Sequence, residues 1–580
     1  MEKRTKELNS TDEKKKRATE EVTTRLGTPI SLLNKVWKIK TPFENTPVID
    51  RIYAHRKIDP TQELTELYSP WFLKDVDKAV HRISSAIKNM ERIMIFGDYD
   101  VDGVTGATIL YLGLKQLGAN VSVRLPHREK DGYGLNTRVL DECVQAGVSI
   151  VITVDCGISN VKEVEYGNSL GLEIIVTDHH TIPPVLPNAY AIINPKQIDC
   201  SYPEKEIVGS VVAFKLICAL FEHLSSPTTY NLQPTTYLLD LAALATVADC
   251  APLKGENRLI VKKGLLQFAN TQHRGLRKLA ESYELISGPG SRVTSYDLGF
   301  KIAPCINAAG RLEDPLIAFK MMIGDTDKAI ELRQMNLDRQ EIVKTALAEA
   351  LEQVENHHRD DPILIFWAEN WQPGIIGLLA GRLCERYYRP VICLTRHEAK
   401  YVGSCRSVPE INIVEKLQEH EDLFLNYGGH AQAAGLSIAP EKLEELRSRL
   451  IADIGQQVKE NPIQPYLSLD TEISVDEIHL GTVEKIKTLE PFGMGNPAPK
   501  FLFKNVKIEQ MRPVGADKTH LQFQFRHEGS FFKGIAFQFA EHEAALKQWE
   551  TVDLACQLNR NEFRGQVTVD LQVVDARKSL

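Results

Sequence analysis

Residues 92–107 read Arg-Ile-Met-Ile-Phe-Gly-Asp-Tyr-Asp-Val-Asp-Gly-Val-Thr-Gly-Ala. The apolar run Ile93–Phe96 predicts a buried strand that stops at Gly97. Three carboxylates follow at alternate positions, Asp98, Asp100 and Asp102. Gly103 and Gly106 then predict a tight turn into an apolar helix over 107–117. In an open α/β sheet, ligands bind at the carboxyl ends of strands. Three acids gathered there repel one another strongly at low dielectric, and a divalent cation is the simplest partner. The alternating acids also occur in calcium loops, whose template wants Gly at the sixth position and Glu at the twelfth. Counting from Asp98, Gly103 fits the sixth but Ile109 fills the twelfth, so that template fails.

Outward from this stretch, residues 90–195 alternate β-branched runs (93–96, 121–125, 150–154, 174–177, 191–193) with helical segments such as 107–117 and 161–170. This is the rhythm of a mostly parallel sheet. Two further strands end in chemistry, one at Asp155 and one at Asp178-His179-His180. A lone Asp after a strand is usually a helix cap, and a lone His a surface residue. Three such strand ends in one sheet predict convergence instead. Residues 208–270 read as helices over 211–224, 238–247 and 258–268, and the second ends at Asp249. An acid at a helix C-terminus opposes the dipole, which points to a compensating cation.

A segment around Asn307-Ala-Ala-Gly-Arg311 offers either an anion contact or an ordinary turn. Residues 325–357 predict one long amphipathic helix, a strut between two lobes. A second α/β unit follows over about 362–455, with strands at 363–367, 391–394 and 401–404. Two of its loops stand out. Gly403-Ser404-Cys-Arg406-Ser407 reads as a phosphate grip. Gly428-Gly429-His430 reads as exposed amides before a small-residue helix. From about residue 465, short alternating strands predict a small β-barrel. Lys504, Lys507, Arg512, Lys518, Arg526, Lys533, Arg560 and Arg564 interleave there with Phe523, Phe525, Phe531, Phe532 and Phe563, a composition suited to single-stranded nucleic acid. Phe523 and Phe525 share one face and are expected in the barrel core.

The chain has 580 residues and a net charge of −8, which excludes a generally basic nucleic-acid coat but not a local basic groove. No apolar run approaches the ~18 residues of a membrane span. Ten scattered cysteines without a CxxC pair argue against zinc or a disulfide framework and for a reducing cytoplasm. The expected organisation is a flexible tail (1–45), a catalytic domain with a helical lead-in (46–275), a helical connector (276–360), a substrate-binding α/β domain (361–460) and a barrel (461–580).

Carboxylates and imidazole suit manganese or magnesium better than zinc. Asp98, Asp100, Asp102, Asp155, His179 and Asp249 supply donors for two such ions sharing one bridging Asp, a pair suited to displacement at phosphorus. If the loop is extended, His179 and His180 point apart, one toward metal and one toward phosphate, with Asp178 orienting one of the rings.

The stretches Gly97-Asp-Tyr-Asp-Val-Asp-Gly, Val154-Asp-Cys-Gly-Ile-Ser, Thr177-Asp-His-His and Thr246-Val-Ala-Asp resemble the four motifs of the DHH phosphoesterase superfamily. Asp131-Gly-Tyr-Gly-Leu, Asn307-Ala-Ala-Gly-Arg, Gly429-His-Ala-Gln-Ala-Ala-Gly, Pro491-Phe-Gly-Met-Gly-Asn-Pro and Asn561-Glu-Phe-Arg-Gly narrow the resemblance to its RecJ family of single-stranded-DNA-specific exonucleases, over about 45–575. The resemblance implies a parallel-sheet DHH lobe, a long connecting helix, a smaller DHH-associated lobe and an OB-type barrel, the two lobes forming a cleft and the barrel closing the DNA path. It implies 5′-to-3′ hydrolysis to nucleoside monophosphates with two manganese or magnesium ions, in recombination and repair. One ion would take Asp98, Asp100 and Asp155, the other Asp102, Asp155, His179 and Asp249. His180 would face the scissile phosphate. Arg128 would lie near the DNA end, and Asn307, Arg311, Ser404, Arg406, Gly429 and His430 would hold substrate. The implied partners are single-stranded DNA, single-stranded-DNA-binding protein and a RecQ-type helicase, with a monomeric enzyme and no membrane. Family members commonly carry Trp-His where this chain has Trp371-Gln372, so no role is carried over there. The rival readings are a DHH phosphodiesterase of short oligonucleotides or cyclic dinucleotides, disfavoured by the barrel, and a non-catalytic DNA scaffold, disfavoured by the full set of acids.

Overall fold

The computed structural model describes residues 30–579 apart from 43, 129, 130, 133, 225–235, 289 and 355–359. The chain divides into two compact units. One is Leu64–Asn461 with Pro491–Pro497; the other joins the described residues up to Glu63 with Pro462–Glu490 and Ala498–Leu580. Among the described residues no helix is long and apolar enough to cross a membrane.

The first unit opens on a five-stranded parallel sheet, ordered Asn120–Arg124, Arg92–Gly97, Val148–Val154, Glu173–Thr177, Ala191–Ile193. In chain order this is 2-1-3-4-5. The direction of winding therefore reverses between Arg92–Gly97 and Val148–Val154, where such sheets open a crevice. Continuous apolar runs such as Val-Ser-Ile-Val-Ile-Thr-Val suit strands covered on both faces. Val76–Lys88, Val101–Gln116 and Gly209–Leu224 cover one face, and Thr137–Gln145 with Val161–Ser169 the other.

The helix after the Asp triplet starts at Val101, earlier than expected, because Asp100 caps it by accepting the Gly103 N–H at 3.1 Å. Gly103 and Gly106 are thus helical rather than turn residues. A Cβ on Gly103 would lie 2.4 Å from the Asp98 nitrogen, so glycine lets the helix seat directly on the strand end.

The strut is Thr326–Gln353, 28 residues capped by Asp325, about 42 Å long; positions 355–357 of the expected helix lie outside the described residues. It leads to a second five-stranded sheet, ordered Phe424–His430, Ala433–Ile438, Lys400–Arg406, Val391–His397, Leu364–Ala368. Two expectations are corrected here. Gly403–Arg406 lies in the strand Lys400–Arg406 rather than in a loop. Gly428-Gly429-His430 does not precede a helix: it forms one arm of a hairpin, with Gly428 opposite Gly435 and His430 opposite Ala433. The small residues that suggested helix packing instead let the two arms lie close, since a Cβ on Gly429 would meet the Ala433 carbonyl at 2.4 Å.

In the second unit Phe501–Val514, His520–His527, Ser530–Ala536, Gln566–Lys578 and Val552–Phe563 pair in turn, and Phe501–Val514 pairs back to Val552–Phe563 to close a barrel. Phe523 and Phe525 are buried and stacked, as expected, whereas Phe531 and Phe563 are 70% and 67% exposed. The expected tail of residues 1–45 needs correction where it is described. Val36–Ile39 pairs in parallel with Tyr466–Leu469, and Trp37 donates its indole N–H to Asp575 at 3.0 Å; residues 1–29 lie outside the described range. The helical lead-in splits as well. Val48–Arg56 belongs to the barrel unit, where buried Arg51 bonds Thr471, Glu472 and Glu477. Val76–Lys88 packs on the catalytic sheet.

The helix Gly209–Leu224 is tied down by a buried ion pair, Lys215 Nζ to Glu256 Oε1 at 2.6 Å. Tyr202 donates its hydroxyl to the same carboxylate, and Lys215 also reaches the Tyr68 carbonyl at 2.6 Å. Removing one partner leaves the other buried and unpaired. Lys215→Met is expected to cost ~3–5 kcal/mol in urea unfolding, and Lys215→Met with Glu256→Gln to recover most of it. A single variant as stable as wild type would show that the pair does not hold the helix.

Candidate active site

Each strand end of the catalytic sheet delivers its acid by a different local device. Asp98 follows Arg92–Gly97 directly, and Asp100 caps the next helix. Asp102 sits in that helix's first turn and points across the crevice. There it accepts backbone N–H bonds from Gly209 (2.7 Å, Oδ2) and Ser210 (2.9 Å, Oδ1), the first residues of Gly209–Leu224. The positive end of that helix therefore meets a carboxylate. Asp155 stands at φ 60°, in the left-handed region, just beyond Val148–Val154. That conformation costs about 1 kcal/mol or more and sits at a site, as strained residues often do.

His179 and His180 follow Glu173–Thr177, and they depart from the extended loop that would turn their side chains apart. Asp178 accepts the backbone N–H groups of Ile158 (2.9 Å), His179 (2.7 Å) and His180 (3.1 Å), which curls the loop. The two rings lie 4.6 Å apart as a result. His179 Nε2 is 3.1 Å from Asp155 Oδ1, 3.7 Å from Asp102 Oδ2 and 3.8 Å from Asp249 Oδ2. His180 Nδ1 is 2.7 Å from Asp178 Oδ1.

Two donor groups result, Asp98–Asp100–Asp155 and Asp102–His179–Asp249, with ligand atoms in each within 4.8 Å of one another. Their electrostatics ask for positive charge. Burial, then Asp100, pushes Asp98 up to about 8. Burial, then Asp102 and Asp100, pushes Asp249 up to about 8. Burial and the neighbouring acids also raise Asp100 and Asp155. Asp98 Oδ1 is buried with no hydrogen-bond partner among the described residues. Carboxylate oxygens with one imidazole, one of those oxygens orphaned, fit hard divalent cations. Burial lowers the His179 pKa, which favours the neutral, ligating ring. On His180, burial is outweighed by the Asp178 hydrogen bond, and its pKa is raised.

A second grouping gathers guanidinium groups. Arg311, in the last turn of Ala303–Leu312, donates to the Gly374 carbonyl at 3.1 Å. Burial, with Arg128, Arg339 and Arg406 nearby, lowers it to about 10. Arg128 lies over the Tyr99 ring at 4.4 Å. Ser404 and Arg406, two apart on one strand, face the same way, and Arg406 Nη1 donates to Ser404 Oγ at 3.2 Å. A Cβ on Gly377 would lie 3.0 Å from Ser404 Oγ and 3.3 Å from Arg406 Nη2, so the helix Ile376–Tyr387 starts directly over them. Guanidinium groups, a hydroxyl and a helix N-terminus together have the chemistry to hold an anion. Asn307 stands one turn before Arg311 on the same helical face, not on a turn. His430 is exposed at the hairpin end, beside Gly429.

Sequence reasoning missed the Gly209 and Ser210 amides, the seating of Arg128 on Tyr99, and Arg339 as a neighbour of Arg311. A Gly-Ser pair opening an apolar helix was a readable signal of a helix start. Nothing in it named Asp102 as the group it holds.

Three family models match the chain: the DHH family N-terminal domain over 92–246, the DHHA1 domain over 360–456 and the RecJ OB domain over 469–575. The chain is 34% identical to the single-stranded-DNA-specific exonuclease RecJ of Bacillus subtilis, over 94% of this chain and 70% of that protein. It is 32% identical to RecJ of Escherichia coli, over 91% of this chain and 96% of that one. Among solved structures, RecJ of Thermus thermophilus in complex with Mn2+ matches with a TM-score of 0.80 at 30% identity, covering 94% of this chain and 80% of that one. The same protein with Mg2+ matches with a TM-score of 0.74 at 29% identity, covering 94% and 78%.

A Cβ on Gly209 would lie 2.8 Å from Asp155 Cα and 3.0 Å from Asp102 Oδ2. Gly209→Ala is therefore expected to push the two acids apart and weaken Mn2+ binding roughly tenfold, read by calorimetric titration. Wild-type affinity in a folded Gly209→Ala protein would show that this close approach does not position the acids.

Proposed function

The chain belongs to the RecJ family of single-stranded-DNA-specific exonucleases, and on that premise we propose that it hydrolyses single-stranded DNA from the 5′ end to nucleoside monophosphates. The observation that carries this reading is the two donor groups, Asp98–Asp100–Asp155 and Asp102–His179–Asp249, linked by His179 Nε2 at 3.1 Å from Asp155 Oδ1, beside a cluster of guanidinium groups. We assign Asp98, Asp100 and Asp155 to one divalent ion, and Asp102, Asp155, His179 and Asp249 to the other, manganese or magnesium. Bound there, the ions supply Lewis-acid polarisation of the phosphodiester and of the attacking water.

The chain's own residues do the rest. Asp102, fixed by two amides, and Asp155, fixed by its backbone, hold donors in place without a rearrangement at each turnover. Asp178 accepts from His180 Nδ1, which sets the ring's tautomer and supports its protonated form. With Nδ1 committed, we assign Nε2 to a phosphate oxygen, as a hydrogen-bond donor and general acid. Arg128, Asn307, Arg311, Ser404, Arg406, Gly429 and His430 are assigned to the strand's terminal nucleotides, the hydroxyl and guanidinium groups gripping phosphate. Residues 361–460 thus serve as a substrate-binding domain. The barrel holds the strand by phosphate attraction and stacking, supported by exposed Phe531, by exposed Phe563 and by Arg564 lying 5.2 Å over the Phe563 ring. The same reading includes single-stranded-DNA-binding protein and a RecQ-type helicase as partners, and a monomeric cytoplasmic enzyme of recombination and repair.

End-labelled strands test it. Digestion from the 5′ end is expected with manganese or magnesium, none with chelator, and duplex is spared. Hydrolysis of cyclic dinucleotides without dependence on strand length would favour the small-substrate alternative. Asp155→Asn removes a carboxyl whose pKa is raised on folding by burial and by Asp102, Asp100 and Asp98, a shift that favours the unfolded chain above the ordinary carboxylate range. The metal-free variant is expected to melt above wild type, to gain no stability from Mn2+, and to lose digestion. Digestion at the wild-type rate would remove Asp155 from the centre.

A further inference from the structure

The barrel unit carries a basic surface that the hydrolytic chemistry does not use. Val36–Ile39 lies in parallel beside Tyr466–Leu469, with Lys38 opposite Ser468. The ladder runs on past the strand: Lys40 donates its N–H to the Leu469 carbonyl at 2.9 Å, and Thr41 to the Asp470 carbonyl at 3.0 Å. Side chains alternate along such a ladder. Trp37 is buried and bonded to Asp575, so Lys38 and Lys40 stand on the opposite face, exposed. Two residues of strand separate them, roughly 7 Å.

Further cations gather where this ladder ends. Asp470 donates its N–H to the Lys500 carbonyl at 2.8 Å and accepts the Lys500 N–H through Oδ2 at 3.0 Å. Arg56 pairs with Asp470 Oδ1 at 2.9 Å, over a carboxylate that is only 8% exposed. Among the described residues none of Lys35, Lys38, Lys40 and Lys500 forms an ion pair. Burial lowers the Lys500 pKa; Asp470 opposes this, and Arg56, Lys35 and Lys40 lower it further. Burial, then Lys40, likewise lowers His55, the neighbour of Arg56. The cations thus crowd one another with one buried carboxylate among them, a repulsion that an anionic partner relieves.

We propose that the face formed by Lys38 and Lys40, with Lys35, Arg56 and Lys500 beside it, docks the sugar-phosphate backbone of duplex DNA, such as a tailed or gapped molecule presents next to its single strand. This is a second nucleic-acid surface, and it goes beyond the exonuclease reading. The occupant follows from charge and from what the face lacks. Single strands are held by rings on which their bases stack. The aromatic residue here, Tyr466, has the Lys38 ammonium over its ring at 4.0 Å, so that ring face is taken. What remains is a row of ammonium groups, which suits the partner with the densest charge; a duplex carries one negative charge per ~1.7 Å of its axis. Ile39, the exposed apolar residue of the strand, alternates onto the other face, so the row has no apolar pocket of the kind an acidic peptide would fill.

The test compares a duplex bearing a single-stranded 5′ tail with that tail alone, both bound to the full chain in chelator and read by fluorescence anisotropy. Wild type is expected to bind the tailed duplex more tightly. Lys38→Gln with Lys40→Gln is expected to lose roughly tenfold on the tailed duplex, and its plot of log affinity against log salt to flatten by about two, one phosphate contact per lysine. Binding of the tail alone and digestion of single strands are expected to match wild type. Lys38→Arg with Lys40→Arg keeps the charge and is expected to keep the affinity. Both side chains are exposed, so the melting temperature should not move; if it falls, Lys40→Gln alone, expected to lose roughly threefold, answers the same question. Equal loss on both substrates, or loss on neither, overturns the duplex surface. So does a double variant that binds tailed duplex normally but no longer binds an oligoglutamate peptide that wild type binds. A wild-type chain that digests no single strand overturns the exonuclease reading, while a duplex-specific loss in the double variant would still uphold this surface.

Discussion

Repulsion among closely gathered carboxylates is the constraint that the catalytic unit is built to contain. Asp98, Asp100, Asp155 and Asp249 all have raised pKa values, from burial first and from one another or Asp102 next. Left to themselves such groups would swing toward solvent or protonate. The fold blocks the first route with backbone geometry: a helix cap at Asp100, two amides on Asp102, a left-handed residue at Asp155. The first and third are local, and the second reaches across from Gly209 and Ser210. The remaining route, neutralisation, is the one a divalent cation serves better than a proton.

The sheet topology explains why these acids meet at all. Arg92–Gly97 and Val148–Val154 are neighbours, with Gly97 opposite Val154, yet the chain winds away from them in opposite directions. Asp98 and Asp155 therefore emerge side by side into a crevice not filled by a crossover helix. Gly209–Leu224 then enters end-on and brings its amides to Asp102. The buried Lys215–Glu256 pair lies along that same helix. A stability feature and a positioning feature thus share one element.

Much of this was legible because the strand-end pattern is short-range. An apolar run followed by Asp, or by Asp-His-His, needs only parallel pairing to bring its ends together. The readings that failed depended on pairing partners that the local pattern did not name, one near and others far in sequence. Nothing near Gly429 says that Ala434 will lie opposite it, so the small residues read equally well as helix packing. Nothing near Val36 says that Tyr466 will pair with it, so charged flanks made the segment look like tail. Asp102 was found as an acid but not as a helix residue, because its cap, Asp100, is itself one of the acids. The histidines were found, but their curled loop follows from three amides converging on Asp178, one of them from Ile158, twenty residues earlier.

The overall charge of −8 looks unfavourable for a protein that handles a polyanion, and the structure shows why it is not. Acids at the centre are arranged for cations, and bound divalent ions would offset most of their charge. Arg311 and Arg406, meanwhile, are bonded to carbonyl and hydroxyl oxygens, and Arg128 lies on an aromatic ring. Those contacts fix the guanidinium groups in place while leaving their charge uncancelled, whereas carboxylate partners would have cancelled it. Two adjacent sites in one unit thus solve opposite problems. One gathers carboxylates suited to divalent ions, and the other gathers guanidinium groups whose hydrogen bonds go to neutral oxygens.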